Sequence, residues 1–103
     1  MTEREARRIV YARSNGICEG CGKARAVEWS HRKARSQGGK WTPSNGMHLC
    51  RADHAWIHSN PNAANACGWY LRSWQNPAAE PVLLGDRPVL LMDDGSIKQE
   101  TTT

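Results

Sequence analysis

The sequence predicts one small α+β domain with an N-terminal helix, a cysteine knuckle, a histidine-bearing helix and a C-terminal β-hairpin. Three observations lead there. The chain has 103 residues, a length suited to a single domain. Its apolar residues follow helical spacing near the N-terminus, but near the C-terminus they fall into short runs separated by Gly and Pro. Hydrophobic residues make up only 39% and Phe is absent. So thin a core leaves room for extra fastening by a metal, and three of the four cysteines lie between positions 18 and 50.

Thr2 to Arg13 is expected to be helical. Thr2 and Glu5 fit a capping box, and Glu3 and Glu5 suit the positive helix start. Ala6, Ile9, Val10 and Arg13 keep helical spacing, with Ile9 and Val10 inward and Arg4, Arg7, Arg8 and Arg13 on or beside the solvent face. Asn15-Gly16 ends the helix. In the knuckle, Cys18 and Cys21 stand two residues apart and can face one tetrahedral ion, the glycines permitting the tight turn. A redox pair shares this spacing, but the surrounding βαβ pattern it needs is missing.

Ala26 to Ser30 reads as a short strand ending at His31. The polar loop that follows carries Arg32, Lys33, Arg35 and Lys40, the candidates for gripping phosphates, and a loop this long in so small a domain is usually functional. Met47 to Cys50 leads into a helix over Arg51 to Ser59. There His54 and His58, four apart, share a face, while Trp56 and Ile57 point to the core. Asn60-Pro61 breaks this helix, and a short one over Asn62 to Ala66 follows. Trp69 to Trp74 is expected as a strand. Residues 77–98 should form a β-hairpin of edge character, with Asp94-Gly95 turning and two prolines limiting pairing. Disorder is expected from 99 to 103.

No apolar run approaches the ~20 residues of a membrane span, and the charged start MTEREARRIV lacks the apolar stretch of a signal peptide. The expectation is a cytoplasmic protein, without a membrane partner, whose cysteines stay reduced, which favours metal binding over disulfides. Charge is uneven. Residues 1–40 hold ten Lys/Arg against four acids, a net of +6; residues 41–103 hold four against six, a net of −2. A basic half suits a phosphate-rich partner, though small domains also carry such charge for solubility.

Hydrolysing a phosphodiester near neutral pH needs a base for water, a cation for the phosphate and leaving oxygen, and a support that orients the base. His31 at a strand end, Asn45 in the loop and His54 on the next helix can supply all three. At this point the residues resemble the HNH nuclease family, most closely the small HNH endonucleases of bacteriophages. The likeness rests on five spaced motifs over about residues 14–75: Cys18-x2-Cys21, Trp29-Ser30-His31-Arg32, Ser36-Gln37-Gly38-Gly39, Asn45-Gly46-Met47-His48-Leu49-Cys50, and His54 to Pro61.

The resemblance implies a ββα-metal core with His31 as general base and Asn45 as the central Asn. It implies His54 as ligand of a catalytic divalent cation (Mg2+, Mn2+ or similar), with His58 as a further ligand. It also implies DNA as substrate, in the host cytoplasm if phage-encoded, with the phage terminase large subunit and portal as candidate partners. Two departures stand out. The second cysteine pair is replaced by Cys50-Arg51-Ala52-Asp53, so structural Zn2+ would take Cys18, Cys21, Cys50 and a fourth ligand from Asp53, Cys67 or water. Ser30 stands where many members carry Asp or His; Glu28, two residues back on the same strand face, can assist the cation or simply pair with an Arg. His48 reads as a turn or supporting histidine, and the tryptophans as packing, with Trp41 in the polar loop exempted. The competing reading is a zinc-knuckle module that binds nucleic acid without cutting.

Overall fold

A computed structural model describes residues 1–99, in which three α-helices and two antiparallel sheets follow the α+β pattern. Helix α1 spans Glu3–Ser14 and is capped by Thr2, whose Oγ1 accepts from the Glu5 N–H at 3.1 Å. Ala6, Val10 and Ser14, four apart, form its buried stripe. Ile9 is only half-buried, with its Cγ2 standing over Gly95. Asn15 closes the helix in the left-handed region at φ 53°.

Strand β1 (Glu28–His31) pairs antiparallel with β2 (Gly46–Leu49), from Glu28 opposite Leu49 to His31 opposite Gly46. Helix α2 (Arg51–Ser59) follows directly and touches β1, and α3 (Pro61–Ala66) begins on the proline that ended it. Ile57 is buried as expected, but Trp56 is exposed, its ring edge-on to Trp69 at 5.6 Å.

The strand expected over Trp69 to Trp74 does not form. Residues 69–81 run irregularly, and only Leu71 makes a bridge, to Lys33. The side chains of this segment explain why: the Gln75 carboxamide oxygen takes the Arg72 backbone N–H at 2.7 Å, closing a turn where a strand would need extended backbone. The C-terminal hairpin gains a third strand: β3 (Val82–Leu84), β4 (Arg87–Leu91) and β5 (Ile97–Gln99) form a meander with β4 central. Pro88 lies just outside the described β4–β5 pairing, which begins at Val89. Gln99 thus ends a strand, and the remainder of the segment expected to be disordered lies outside the described residues. Among the described residues, no helix is long and apolar enough to cross a membrane.

Met47, Leu49, Ile57, Val89 and Leu91 centre the main apolar cluster, and Ala6, Val10 and Trp29 a smaller one under α1. Between them run two buried arginines, and both correct the expectation of exposed cations. Arg13 forms a two-bond ion pair with Glu19 (2.7 and 2.9 Å) and also donates to the carbonyls of Pro43 and Gly46. The two side chains are only 3% and 4% exposed. Arg32 is fully buried and donates to four carbonyls, those of Gly68, Ser44, Pro77 and Glu80. It therefore has no surface to offer a phosphate. Burial, reinforced by the charge of Arg13, brings its pKa down to about 10, which still leaves it protonated at neutral pH.

Replacing Arg32 with Met keeps most of the volume but strands those carbonyls. R32M is expected to lose at least about 3 kcal/mol of unfolding free energy in urea titration, the scale of several buried unpaired acceptors. A loss below about 0.5 kcal/mol, typical of surface sites, would show that these bonds contribute little.

Candidate functional site

Two sites flank β1 and α2. The first is a cluster of Cys18, Cys21, Cys50 and Asp53, whose ligand atoms all lie within 4.8 Å of one another. Cys18 and Cys21 come from the knuckle, where the Gly22 N–H closes onto the Cys18 carbonyl at 2.9 Å. Cys50 is the N-cap of α2, its Sγ accepting the Asp53 N–H at 3.4 Å, so Asp53 follows one turn on and faces the same point. Gly20 makes room: a Cβ there would stand 2.9 Å from Asp53 Oδ2 and 3.1 Å from the Trp69 ring.

Burial pushes the Cys18 thiol up to about 12, and its Sγ faces Asp53 Oδ2 at 3.2 Å. The Cys21 thiol is held down by the Ala24 and Lys23 backbone N–H groups. A divalent cation would reverse the penalty on Cys18, because coordination favours the thiolate outright. The cluster can hold a metal ion, and its donor set is compatible with structural zinc. Cys67 takes no part. It sits at the end of α3, accepts the Leu83 N–H on its carbonyl, and borders a separate hollow with Pro81 and Val82. Of the protein candidates for the fourth ligand, the structure brings Asp53 to the cluster and leaves Cys67 outside.

The second site is a cleft of about 410 Å³ between the end of β1 and α2, lined by His31, His54 and His58 together with Ser30, Arg35 and Tyr70. His31 Nδ1 accepts the indole N–H of Trp29 at 2.9 Å, and its Nε2 is buried without a partner among the described residues. Burial, then the nearby charges of Arg35 and Arg7, lower its pKa, so the ring is neutral at pH 7. On α2, the His54 and His58 rings are 5.3 Å apart and tilted by 44°. Glu28 Oε2 lies 3.5 Å from His54 Nδ1, while Oε1 lies 3.7 Å from Arg51 Nε, the pairing with an Arg that is the simpler expectation for it. A carboxylate at Nδ1 turns Nε2 toward a ligand, the usual way of orienting a metal-binding histidine. Two imidazoles with a neighbouring carboxylate suit Mn2+ or a later transition ion better than Mg2+. Ser30 is buried and adds no strong ligand.

Asn45 is buried at the base of the polar loop. Its carboxamide oxygen accepts the Lys33 N–H at 2.7 Å, and its amide donates to the carbonyls of Lys33 and Lys40 at 3.0 and 3.1 Å. Both ends of the loop are thus pinned to one side chain. Gly39 is obligatory inside it, because a Cβ there would fall 1.7 Å from the Lys33 carbonyl oxygen. Arg35 and Lys40 are exposed and Lys33 half-buried. Arg35 alone of these reaches the histidine cleft; Lys33 and Lys40 line a hollow beside it.

His48 is buried in β2, with Nδ1 2.7 Å from Ser14 Oγ and its ring stacked on Tyr11 at 4.0 Å. It is a packing histidine. Sequence reasoning missed the Trp29–His31 bond, although two residues spaced by two on a strand share a face. It also missed Tyr70 in the cleft wall, for which the sequence carries no signal. Comparison with protein-family models, with curated proteins and with solved structures finds no match for the chain.

The purified protein is expected to carry one metal ion per chain at the cysteine cluster, measured by elemental analysis. C18S should lose it and C67S should keep it. Stripping the ion with a chelator should lower the melting temperature of the wild type; equal metal content in the two variants would count against the cluster.

Proposed function

We propose that the chain is a metal-dependent DNA endonuclease of the HNH type, with structural zinc at Cys18, Cys21, Cys50 and Asp53. The observation that carries the reading is the meeting of His31, His54 and His58 in one cleft, with Arg35 on its wall. Support also comes from the two-strand, one-helix order of β1, β2 and α2, of which β1 and α2 line that cleft, and from the net charge of +4.

The chain's groups divide the work. His31 takes a proton from water, whose oxygen attacks phosphorus as the bond to the 3′ oxygen breaks. A neutral ring is the form a base needs, and the lowered pKa keeps it neutral. Asn45 keeps the loop closed behind His31, fixing the backbone that follows the base. His54, oriented by Glu28 and accompanied by His58, would hold the divalent cation, which supplies neutralisation of charge at the phosphate and the leaving oxygen. Arg35, Lys33 and Lys40 grip neighbouring phosphates. In the alternative reading the knuckle and basic loop bind nucleic acid without cutting it; the histidine cleft favours the enzyme, because binding alone has no use for it.

The test is plasmid cleavage with Mn2+ or Mg2+. Wild type should nick or linearise DNA, more readily with Mn2+. H31A should lose about 10²-fold or more, the usual contribution of a general base, and H54A should need more metal to reach any rate. Unchanged cleavage by H31A would remove it from the base role. Binding without cleavage under any metal would favour the non-cutting module. Cleavage appearing only when a phage terminase large subunit or portal is added would place the protein in a packaging assembly.

A further inference from the structure

We propose that Trp29 is the positioning residue of His31: its indole N–H fixes which ring nitrogen carries the proton and caps the other, so that His31 becomes a base only when water displaces that N–H. The inference rests on the hydrolytic reading of the cleft and describes how its base is held at rest.

An indole N–H can only donate. The Nδ1 atom that it meets at 2.9 Å must therefore present its lone pair, and the neutral ring carries its proton on Nε2. Nε2 is buried and finds no acceptor among the described residues. In this arrangement neither nitrogen offers a lone pair to the cleft, although His31 lines it. The basic atom is selected and covered by the same contact.

Trp29 is well placed to hold that contact. It is 8% exposed and packs on Ala6 and Val10 in the cluster under α1. Its six-membered ring lies over Gly46, where a Cβ would fall 2.0 Å from the ring, so only glycine admits the indole there. Trp41 tilts against it at 5.0 Å, and the Arg7 guanidinium lies 5.9 Å from its centroid. The His31 ring is held less fully, with Trp41 edge-on at 4.5 Å and the open cleft beside it. Release therefore falls to the imidazole, by rotation toward the cleft. Once Nδ1 meets a water there, the proton lost by the attacking water passes to Nδ1, giving an imidazolium that keeps its Nε2 proton. Loss of the Nδ1 proton to solvent then restores the resting ring.

The experiment is nitrogen-15 NMR of the histidine rings in the metal-loaded protein as purified, without DNA, comparing wild type with W29F, which keeps an aromatic ring but has no N–H. Wild-type His31 should show the Nε2–H tautomer in excess by about tenfold, a ratio within the reach of one hydrogen bond. W29F should show a mixture, while the His48 signals stay in place and report an intact fold. A wild-type His31 protonated on Nδ1, or already mixed, overturns the proposal even if W29F fails to fold. In cleavage assays W29F should change kcat at least about fivefold, again the scale of one hydrogen bond, and leave KM for DNA unchanged; an unchanged kcat overturns the catalytic link. Wild type that shows the tautomer but cleaves nothing counts instead against the hydrolytic reading.

Discussion

A buried guanidinium whose hydrogen bonds all go to backbone carbonyls constrains much of what surrounds it. Arg32 is bonded through carbonyls at 44, 68, 77 and 80, points far apart in sequence. Three of these carbonyls, at 68, 77 and 80, lie in a segment with almost no regular structure to pair them. Buried acceptors of this kind need donors, and one planar cation supplies them. Arg32 also stands directly after His31. The residue that fastens the C-terminal half to β1 therefore fixes the backbone from which the candidate base projects.

A similar device stands close by, on the neighbouring carbonyl of Pro43. The Arg13–Glu19 pair joins α1 to the knuckle, and Glu19 also accepts the His48 N–H of β2 at 2.9 Å. Glu19 is the neighbour of Cys18, so the ion pair and the cysteine cluster share one turn of chain. With Phe absent and few large apolar side chains available, buried polar groups with matched partners take over part of the work that a larger core would do. The cost is sensitivity, since removing one member leaves its partners unpaired.

These fasteners keep the working groups on a rigid frame. Asn45 is bonded at three points and Gly39 admits no side chain, so the loop that bears Arg35, Lys33 and Lys40 is anchored at both ends while its cations face outward. His54 and His58, by contrast, project from one face of α2, His54 beside Glu28 and His58 exposed. The cleft thus combines one histidine bonded within its own strand by Trp29 with two carried on α2.

Local signals in the sequence determined the capped first helix, α2 and its paired histidines, the break at Asn60-Pro61 and the knuckle. Each depends on residues within a few positions of one another, where spacing dictates direction. The knuckle from Cys18 to Cys21 needed only its own turn. The fate of the remaining polar residues depended on distant partners. Arg13 and Arg32 have the same sequence character as Arg35, yet two are buried and one faces the cleft, because carbonyls from residues 43 to 80 close around the first two. Asp53 rather than Cys67 joins the cysteines because helix α2 turns it there and Gly20 clears the space. The failed strand at 69–74 has a different, local origin, a turn closed by the Gln75 side chain that periodicity does not encode. Charge, helix faces, ligand types and the Trp29–His31 neighbourhood were local properties of the chain; which charges are buried, and which residues meet in the cleft, were decided by tertiary contacts.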